Sequence, residues 1–297
     1  MKIAVVGSIN VDQTVIADRI PLKGETLFGN SINYIPGGKG ANQAVAMAKL
    51  GAEVSMFGCV GDDEKGQQMI DNLRKYNINV NNIKVEKGVP TGIAIITLGN
   101  DDNTIVVIKG ANGKVDKAYV DSIKDDLLKN DMVVLQHEIP LDSVHYIINL
   151  CHEKNIPTVL NPAPAANVPM DIIDKVTYIT PNEHEVGLIF GKDKSLEELL
   201  KKYPKKLIVT LGSDGVICAL NEKEILKVPV RKTKVVDTTG AGDTLNGAFC
   251  VRICNGDDIK KALTYANVAA SLSIEKLGAQ SGMPTNSEVE KIMEEMK

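Results

Sequence analysis

The chain has 297 residues, 43% hydrophobic and 24% charged, with a net charge of −4. That is the balance of an ordinary globular protein with room for one large α/β domain or two small ones. It carries no basic block that would mark a nucleic-acid partner, and no apolar tract of about 18 residues that would cross a membrane.

In chain order, "KIAVVG" (2–7) reads as a first strand, its apolar stretch being too short for a signal peptide. Residues 13–36 look extended, with no helical spacing. "GANQAVAMAKLGA" (40–52) then places Ala41, Ala44, Val45 and Ala48 on one helical face and stops at Gly51. "EVSMFGCVG" (53–61) reads as strand and "DEKGQQMIDNLRKY" (63–76) as helix. Residues 91–110 are again extended. "TGIAIITLGNDDNTIVVIKG" spells a hairpin, two apolar strands around Asn100-Asp101-Asp102-Asn103. Strands follow at "MVVLQ" (132–136), "PTVLN" (157–161), "VTYIT" (176–180) and "KLIVTLG" (206–212), with helices at 141–154 and 182–190. From roughly 242 to 296 the pattern is mostly helical.

This alternation predicts an α/β fold of three layers, a mostly parallel sheet with helices on both faces. The segments 13–36 and 91–110 do not thread easily into a parallel core. They are expected to form a small separate β-sheet, a lid or dimer clasp, on a single domain spanning 1–297. Five scattered cysteines (Cys59, Cys151, Cys218, Cys250, Cys254) point to a reduced, cytoplasmic protein. Cys250 and Cys254 lie four apart with no second pair and read as small core residues. The four histidines form no HExxH array, so no zinc site is expected.

Three stretches carry chemistry. In "VVDTTGAGDTLNGAF" (235–249) a strand ending at Val236 is expected to feed a glycine turn and a helix starting near Gly242. The first N–H groups of a helix have no internal partner, and the macrodipole adds positive charge. With Gly240 and Gly242 admitting a ligand, the turn reads as an anion hole. It is not a Walker A loop, for no GxxxxGK[ST] occurs, nor a dinucleotide fingerprint, because Gly247 comes two residues too late. Asp243 either complements the helix N-terminus or accepts a hydroxyl proton while the N–H groups hold phosphoryl oxygens. At a helix start it should stay ionised and be a weak base, which the loose transition state of phosphoryl transfer tolerates. "PGGKGANQAVA" (36–46) sets Gly37 and Gly38 before a helix whose first turn carries Lys39 and Asn42, groups suited to a polyhydroxylated ligand. "GSINVD" (7–12) puts Asn10 and Asp12 after the first strand, where open α/β sheets bind ligands.

"SINVD" (8–12), "GGKGANQAVA" (37–46), "PNEHE" (181–185), "TLGSDG" (210–215) and "DTTGAGDTLNG" (237–247), in that order over essentially the whole chain, resemble the PfkB carbohydrate kinase family, and within it the ribokinase group. The resemblance implies a ribokinase-like fold and ATP-dependent phosphorylation of D-ribose at its 5-hydroxyl, with another sugar or a nucleoside as the alternative substrate. It implies that Asn10, Asp12, Gly38, Lys39 and Asn42 hold the sugar, helped by Glu138 of "LQHEIP". Taken by itself, Glu138 reads equally well as a solvated loop carboxylate. Asp243 would be the catalytic base, and the backbone of Gly240, Ala241 and Gly242 would hold ATP phosphates.

Asn182 and Glu185 would bind the phosphates and Mg²⁺, although "PNEHE" without the family is a helix start capped by Asn182. Thr210, Gly212, Ser213 and Gly215 would line the nucleotide site, with Asn267 near the adenine. The family also takes a monovalent cation, K⁺. Here it would lie among the Asp237 carboxylate, the Thr239 carbonyl and groups of Ser273, Lys276, Gly278 and Gly282. Gly282 stands where the group commonly has serine, so only its carbonyl could serve. A homodimer joined through the lid is a further implication.

Overall fold

The structure is a computed structural model that describes residues 1–100, 102–191 and 193–296. The chain opens with β1 (Lys2–Val6), leaves for β2 (Asn10–Ile16) and β3 (Ser31–Gly37), and returns through α1 (Lys39–Lys49), β4 (Glu53–Gly61), α2 (Glu64–Lys75) and β5 (Asn79–Glu86). A second excursion makes β6 (Gly92–Gly99) and β7 (Asp102–Ile108). Next come α3 (Lys117–Leu127), β8 (Met132–Gln136), α4 (Leu141–Glu153), β9 (Thr158–Asn161), α5 (Met170–Lys175), β10 (Tyr178–Ile179), α6 (Glu183–Phe190) and α7 (Leu196–Lys202). Three short strands, β11 (Ile208–Thr210), β12 (Val216–Ala219) and β13 (Ile225–Val228), precede α8 (Ala241–Cys254), α9 (Ile259–Ser273), α10 (Ala279–Gly282) and α11 (Asn286–Glu295).

The main sheet has six strands in the order β10-β9-β8-β1-β4-β5, and every pair is parallel. β1 shows why. Its residues alternate between two cores, Ile3 and Val5 in one, Ala4 and Val6 in the other, all fully buried. A strand apolar on both faces belongs inside a sheet covered on both sides. The first core is closed by residues of α1, α2, α8 and α9, the second by residues of α3, α4, α5, α6 and α7. The expected three layers are therefore present.

The segments without helical spacing form one four-stranded sheet, β3-β2-β6-β7. β2 pairs antiparallel with β3 and parallel with β6, and β6 antiparallel with β7. This sheet starts earlier than expected, at Asn10, just beyond the end of β1, and the chain between β2 and β3 is irregular. Of the hairpin tip, Asp101 lies outside the described residues, and Asn100 has φ +54°.

Three details differ from expectation. Residues 206–212 do lie parallel beside β10, but only through the isolated bridges Ile179–Leu207 and Asn182–Thr210, and β11 also begins a three-stranded antiparallel sheet with β12 and β13. The chain returns from β11 through a single 3-10 turn, Gly212–Asp214, too short for the crossover that a parallel neighbour requires. Residues 176–180 supply only a two-residue strand. Nor is there a strand ending at Val236: β13 stops at Val228 and the chain up to Gly240 is irregular. The N–H groups of Val236 and Asp237 donate to the Ile274 carbonyl instead of to a sheet.

Candidate active site

Six helices begin at a capping side chain: Asp63, Asp116, Asn182, Ser195, Asp258 and Thr285. α1 and α8 do not. They start after Gly38 (φ +88°) and Gly240 (φ +79°), with no side-chain cap. At α1 the Lys39, Gly40 and Ala41 N–H groups are taken by Glu138 and Ser8, so the N–H groups left for a ligand are those of α8. At α8 the Ala241 N–H donates back to Thr238; among the described residues, those of Gly242 and Asp243 have no acceptor. The anion hole thus rests on Gly242 and Asp243 more than on Ala241. Gly240 is required twice: its φ is left-handed, and a Cβ there would stand 2.8 Å from the Ala279 Cβ.

Asp243 is 7% exposed. Its Oδ2 accepts from Asn42 Nδ2 at 3.0 Å and its Oδ1 from Gln43 Nε2 at 3.0 Å. Burial pushes its carboxyl above the usual range, against the pull of the Lys39 ammonium and the two amides. The helix start is expected to keep this group ionised; burial works against that, while the two amides and the attraction between Lys39 and Asp243 favour the ionised form. The same pair raises Lys39, whose ammonium is held above its ordinary range chiefly by Asp243.

Around this pair the first strand's loop and the small sheet add polar groups. Glu138 is not a free loop carboxylate. Its Oε2 accepts from Ser8 Oγ and from the Lys39 main-chain N–H, the latter at 3.0 Å. Asn10 is buried, and its Oδ1 accepts from Asn112 Nδ2 at 2.6 Å. Asp12 of β2 packs on Gly37, where a Cβ would stand 2.3 Å from the carboxylate. Burial, with Glu138 and Asp243 nearby, pushes Asp12 up to about 7.

Two adjoining cavities meet at this point. One, about 430 Å³, is lined by Thr210, Gly212, Ser213, Gly215, Ala241, Gly242 and Asn267 of the expected residues. Val230, Val235, Leu245, Ala270 and Ile274 add an apolar wall that the motifs did not reveal. Asn267 Nδ2 donates to the Val228 and Pro229 carbonyls at 3.0 and 2.7 Å and so ties α9 to the chain beyond β13. The other cavity, about 150 Å³, is polar. It shares Thr210 and Gly242 with the first and contains Lys39, Asn182, Glu185, Gly240 and Asp243. Asn182 and Glu185 form a reciprocal capping box at 2.9 and 2.8 Å. Burial still pushes the Glu185 carboxyl above the usual range, the state of a carboxylate that would gain from a cation.

The 273–282 segment adjoins the anion hole. Asp237 accepts from the Thr239 and Gly278 N–H groups at 2.9 and 2.8 Å. Those contacts outweigh burial and hold its carboxyl below the usual range. A Cβ on Gly282 would stand 2.4 Å from the Ser273 carbonyl oxygen and 3.4 Å from that of Lys276. Two carbonyls therefore converge on the space a serine would need, which fits a cation held by backbone oxygens.

An apolar cavity opening onto a polar one, with an uncapped helix start and a buried carboxylate where they meet, is the arrangement of a kinase acting on a small polar acceptor. Residues 1–286 match the model of the pfkB family carbohydrate kinases, and the chain belongs to that family. It is 45% identical to a ribokinase of Bacillus subtilis over 292 residues, 98% of this chain and 99% of that one. Among solved structures, it resembles a ribokinase from Thermotoga maritima (34% identity, TM-score 0.89, 98% and 99% of the two chains). It also resembles an Arabidopsis thaliana ribokinase complexed with ribose and ATP (29% identity, TM-score 0.87, 98% and 97%).

Proposed function

We propose that this chain transfers the terminal phosphoryl group of ATP to the 5-hydroxyl of D-ribose, giving D-ribose 5-phosphate and ADP. The observation that carries the reading is the meeting of the Asp243 carboxylate with the free N–H groups of α8 at the junction of the two cavities. The near full-length likeness to ribokinases supports ribose as the acceptor.

In this reading the apolar cavity takes the adenine and the polar one the phosphates. Asn10, Asp12, Gly38, Lys39, Asn42 and Glu138 hold the sugar, and Asp243 takes the proton of its 5-hydroxyl. The freed oxygen forms a bond to the γ-phosphorus as the bond to the ADP oxygen breaks, in line. The N–H groups of Gly242 and Asp243, with the Lys39 ammonium, face the charge on the transferring group.

Asn182 and Glu185 would hold Mg²⁺, which neutralises charge on the phosphate oxygens. Asp237, Thr239, Ser273, Lys276, Gly278 and Gly282 would hold K⁺ beside the α8 start, where a positive charge steadies the anion hole. The small sheet serves as a lid on a single kinase domain and pairs with a second copy. β7 is exposed throughout and displays Ile105, Val106, Val107 and Ile108, an apolar surface of the kind that marks an interface. The five unpaired cysteines fit a cytoplasmic protein, and among the described residues no helix is long and apolar enough to cross a membrane.

The test is a coupled ADP assay over a panel of ribose, 2-deoxyribose, fructose and nucleosides, repeated on Asp243→Ala. Ribose should give the highest kcat/KM. The variant should lose at least ~10²-fold in kcat, the scale for a lost general base, while still binding ATP. Near-normal turnover by the variant removes Asp243 from the chemistry, and a nucleoside preference removes ribose.

A further inference from the structure

We propose that Gln43 is a positioning residue for the catalytic carboxylate: its side-chain amide, itself oriented by Gln136, fixes Asp243 in the rotation from which it takes the sugar proton. This rests on the reading of Asp243 as the base.

Gln43 lies on α1 and is fully buried. Its Nε2 donates to Asp243 Oδ1 at 3.0 Å and to Asn161 Oδ1 at 3.1 Å, and its Oε1 accepts from Gln136 Nε2 at 2.7 Å. An ionised carboxylate can only accept. The Gln43 nitrogen must therefore face Asp243, its oxygen must face Gln136, and Gln136 must donate. The carboxylate at one end dictates the direction of every amide in the chain. That direction leaves Gln136 Oε1 buried with no partner among the described residues, pressed on Gly7, where a Cβ would stand only 2.1 Å away. A core built for packing alone would place an apolar side chain there. The unpaired oxygen is tolerated because the other half of Gln136 holds Gln43.

The second carboxylate oxygen is served in the same way. Asn42, the neighbour of Gln43, donates to Asp243 Oδ2, and its own Oδ1 accepts from Gln280 Nε2 at 3.0 Å. With one donor on each oxygen the carboxylate cannot rotate about its Cβ–Cγ bond, and each oxygen keeps a lone pair for the incoming hydroxyl. Both amides also favour the ionised, proton-accepting form. Gln43 is fully buried and its amide is taken up by Asp243, Asn161 and Gln136, so it acts through Asp243 and not on the sugar.

Gln43→Met and Gln136→Met test this, since methionine keeps the length and removes the amide. The charged groups facing Asp243 are Lys39 from α1, Glu138 from the loop after β8, Asp12 from β2 and Glu185 from α6, and neither variant touches them. Gln43→Met should lower kcat by about tenfold or more and move the acid limb of its pH profile to higher pH, with the ribose KM changed by less than about threefold. Gln136→Met should show a smaller change in the same direction, and Gln43→Glu should not restore the wild-type profile. The proposal is overturned if kcat stays within about twofold of wild type, or if the loss lies in KM alone with the acid limb unmoved. Should Gln43→Met fail to fold, Gln136→Met decides by the same criteria, because it leaves the contact with Asp243 in place. An active Asp243→Ala would sink the parent reading. An inactive Asp243→Ala beside a normal Gln43→Met would sink this one alone.

Discussion

Gly247 of α8 lies so close to Ala46 of α1 that a Cβ on Gly247 would stand 2.7 Å from the Ala46 Cβ and 3.2 Å from the Gln43 carbonyl oxygen. This contact lets the two helices cross closely enough for Asp243, one turn earlier on α8, to reach the amides of Asn42 and Gln43. The glycine that comes too late for a dinucleotide fingerprint has this use instead. Gly247→Ala should push the helices apart, with an overpacking cost of about 1–3 kcal/mol. It should also cut kcat by about tenfold well below the melting temperature, because the base has moved. A variant that melts earlier yet turns over normally would separate the packing from the chemistry and refute the link.

Lys39 offers a test by pH. Asp243 is active as a base when ionised, so activity falls as pH drops through its pKa, which burial raises and Lys39 opposes. Lys39→Met removes the opposing charge. The acid limb of kcat should then move to higher pH, in addition to any loss at the plateau, as read from profiles over about pH 5–9. An acid limb that stays in place would mean that Lys39 does not act on Asp243.

Asp12 should trade stability for binding. The folded chain keeps its proton up to about pH 7, while the unfolded chain releases it near 3.8. Between those values the unfolded state binds fewer protons, so the wild type loses stability as pH rises. Ligand-free Asp12→Asn should match wild type near pH 4 and melt higher near pH 8, by about 2–4 °C for each kcal/mol recovered. Its ribose KM should rise. Equal melting curves at both pH values would contradict the burial cost.

Gly282 can be tested without turnover. In Gly282→Ala the new Cβ would displace the Ser273 carbonyl. If that oxygen helps hold K⁺, potassium chloride should raise the wild-type melting temperature above that in choline chloride, by mass action, and the variant should lose the difference. An identical potassium response in both proteins would exclude Gly282 and Ser273 from the site.

Much of the site could be read from the motifs because it is locally encoded. Glycines stand in the cap positions of α1 and α8, and residues such as Lys39, Asn42 and Asp243 sit within the first turn after them. The supporting residues were harder to see. Gln43 lies within "GGKGANQAVA", but nothing in its spacing ties it to Asp243. Gln136 gave only the signal of an amide ending the apolar run "MVVLQ". Ser8 and Asn112, which hold Glu138 and Asn10, carry no spacing that ties them to their partners. Asn182 could be recognised as a cap from sequence, and its capping box is present.

The β-α rhythm, the apolar faces and the uncapped helix starts follow from the sequence by itself, because periodicity and capping act over a few residues. Only the tertiary structure turned β11–β13 antiparallel, left 229–240 without a strand and set the balance of forces on Asp243. Those outcomes depend on burial and on partners up to about two hundred positions away, such as Asn42 and Asp243. Desolvation is a property of the closed core, and no local pattern of residues encodes it.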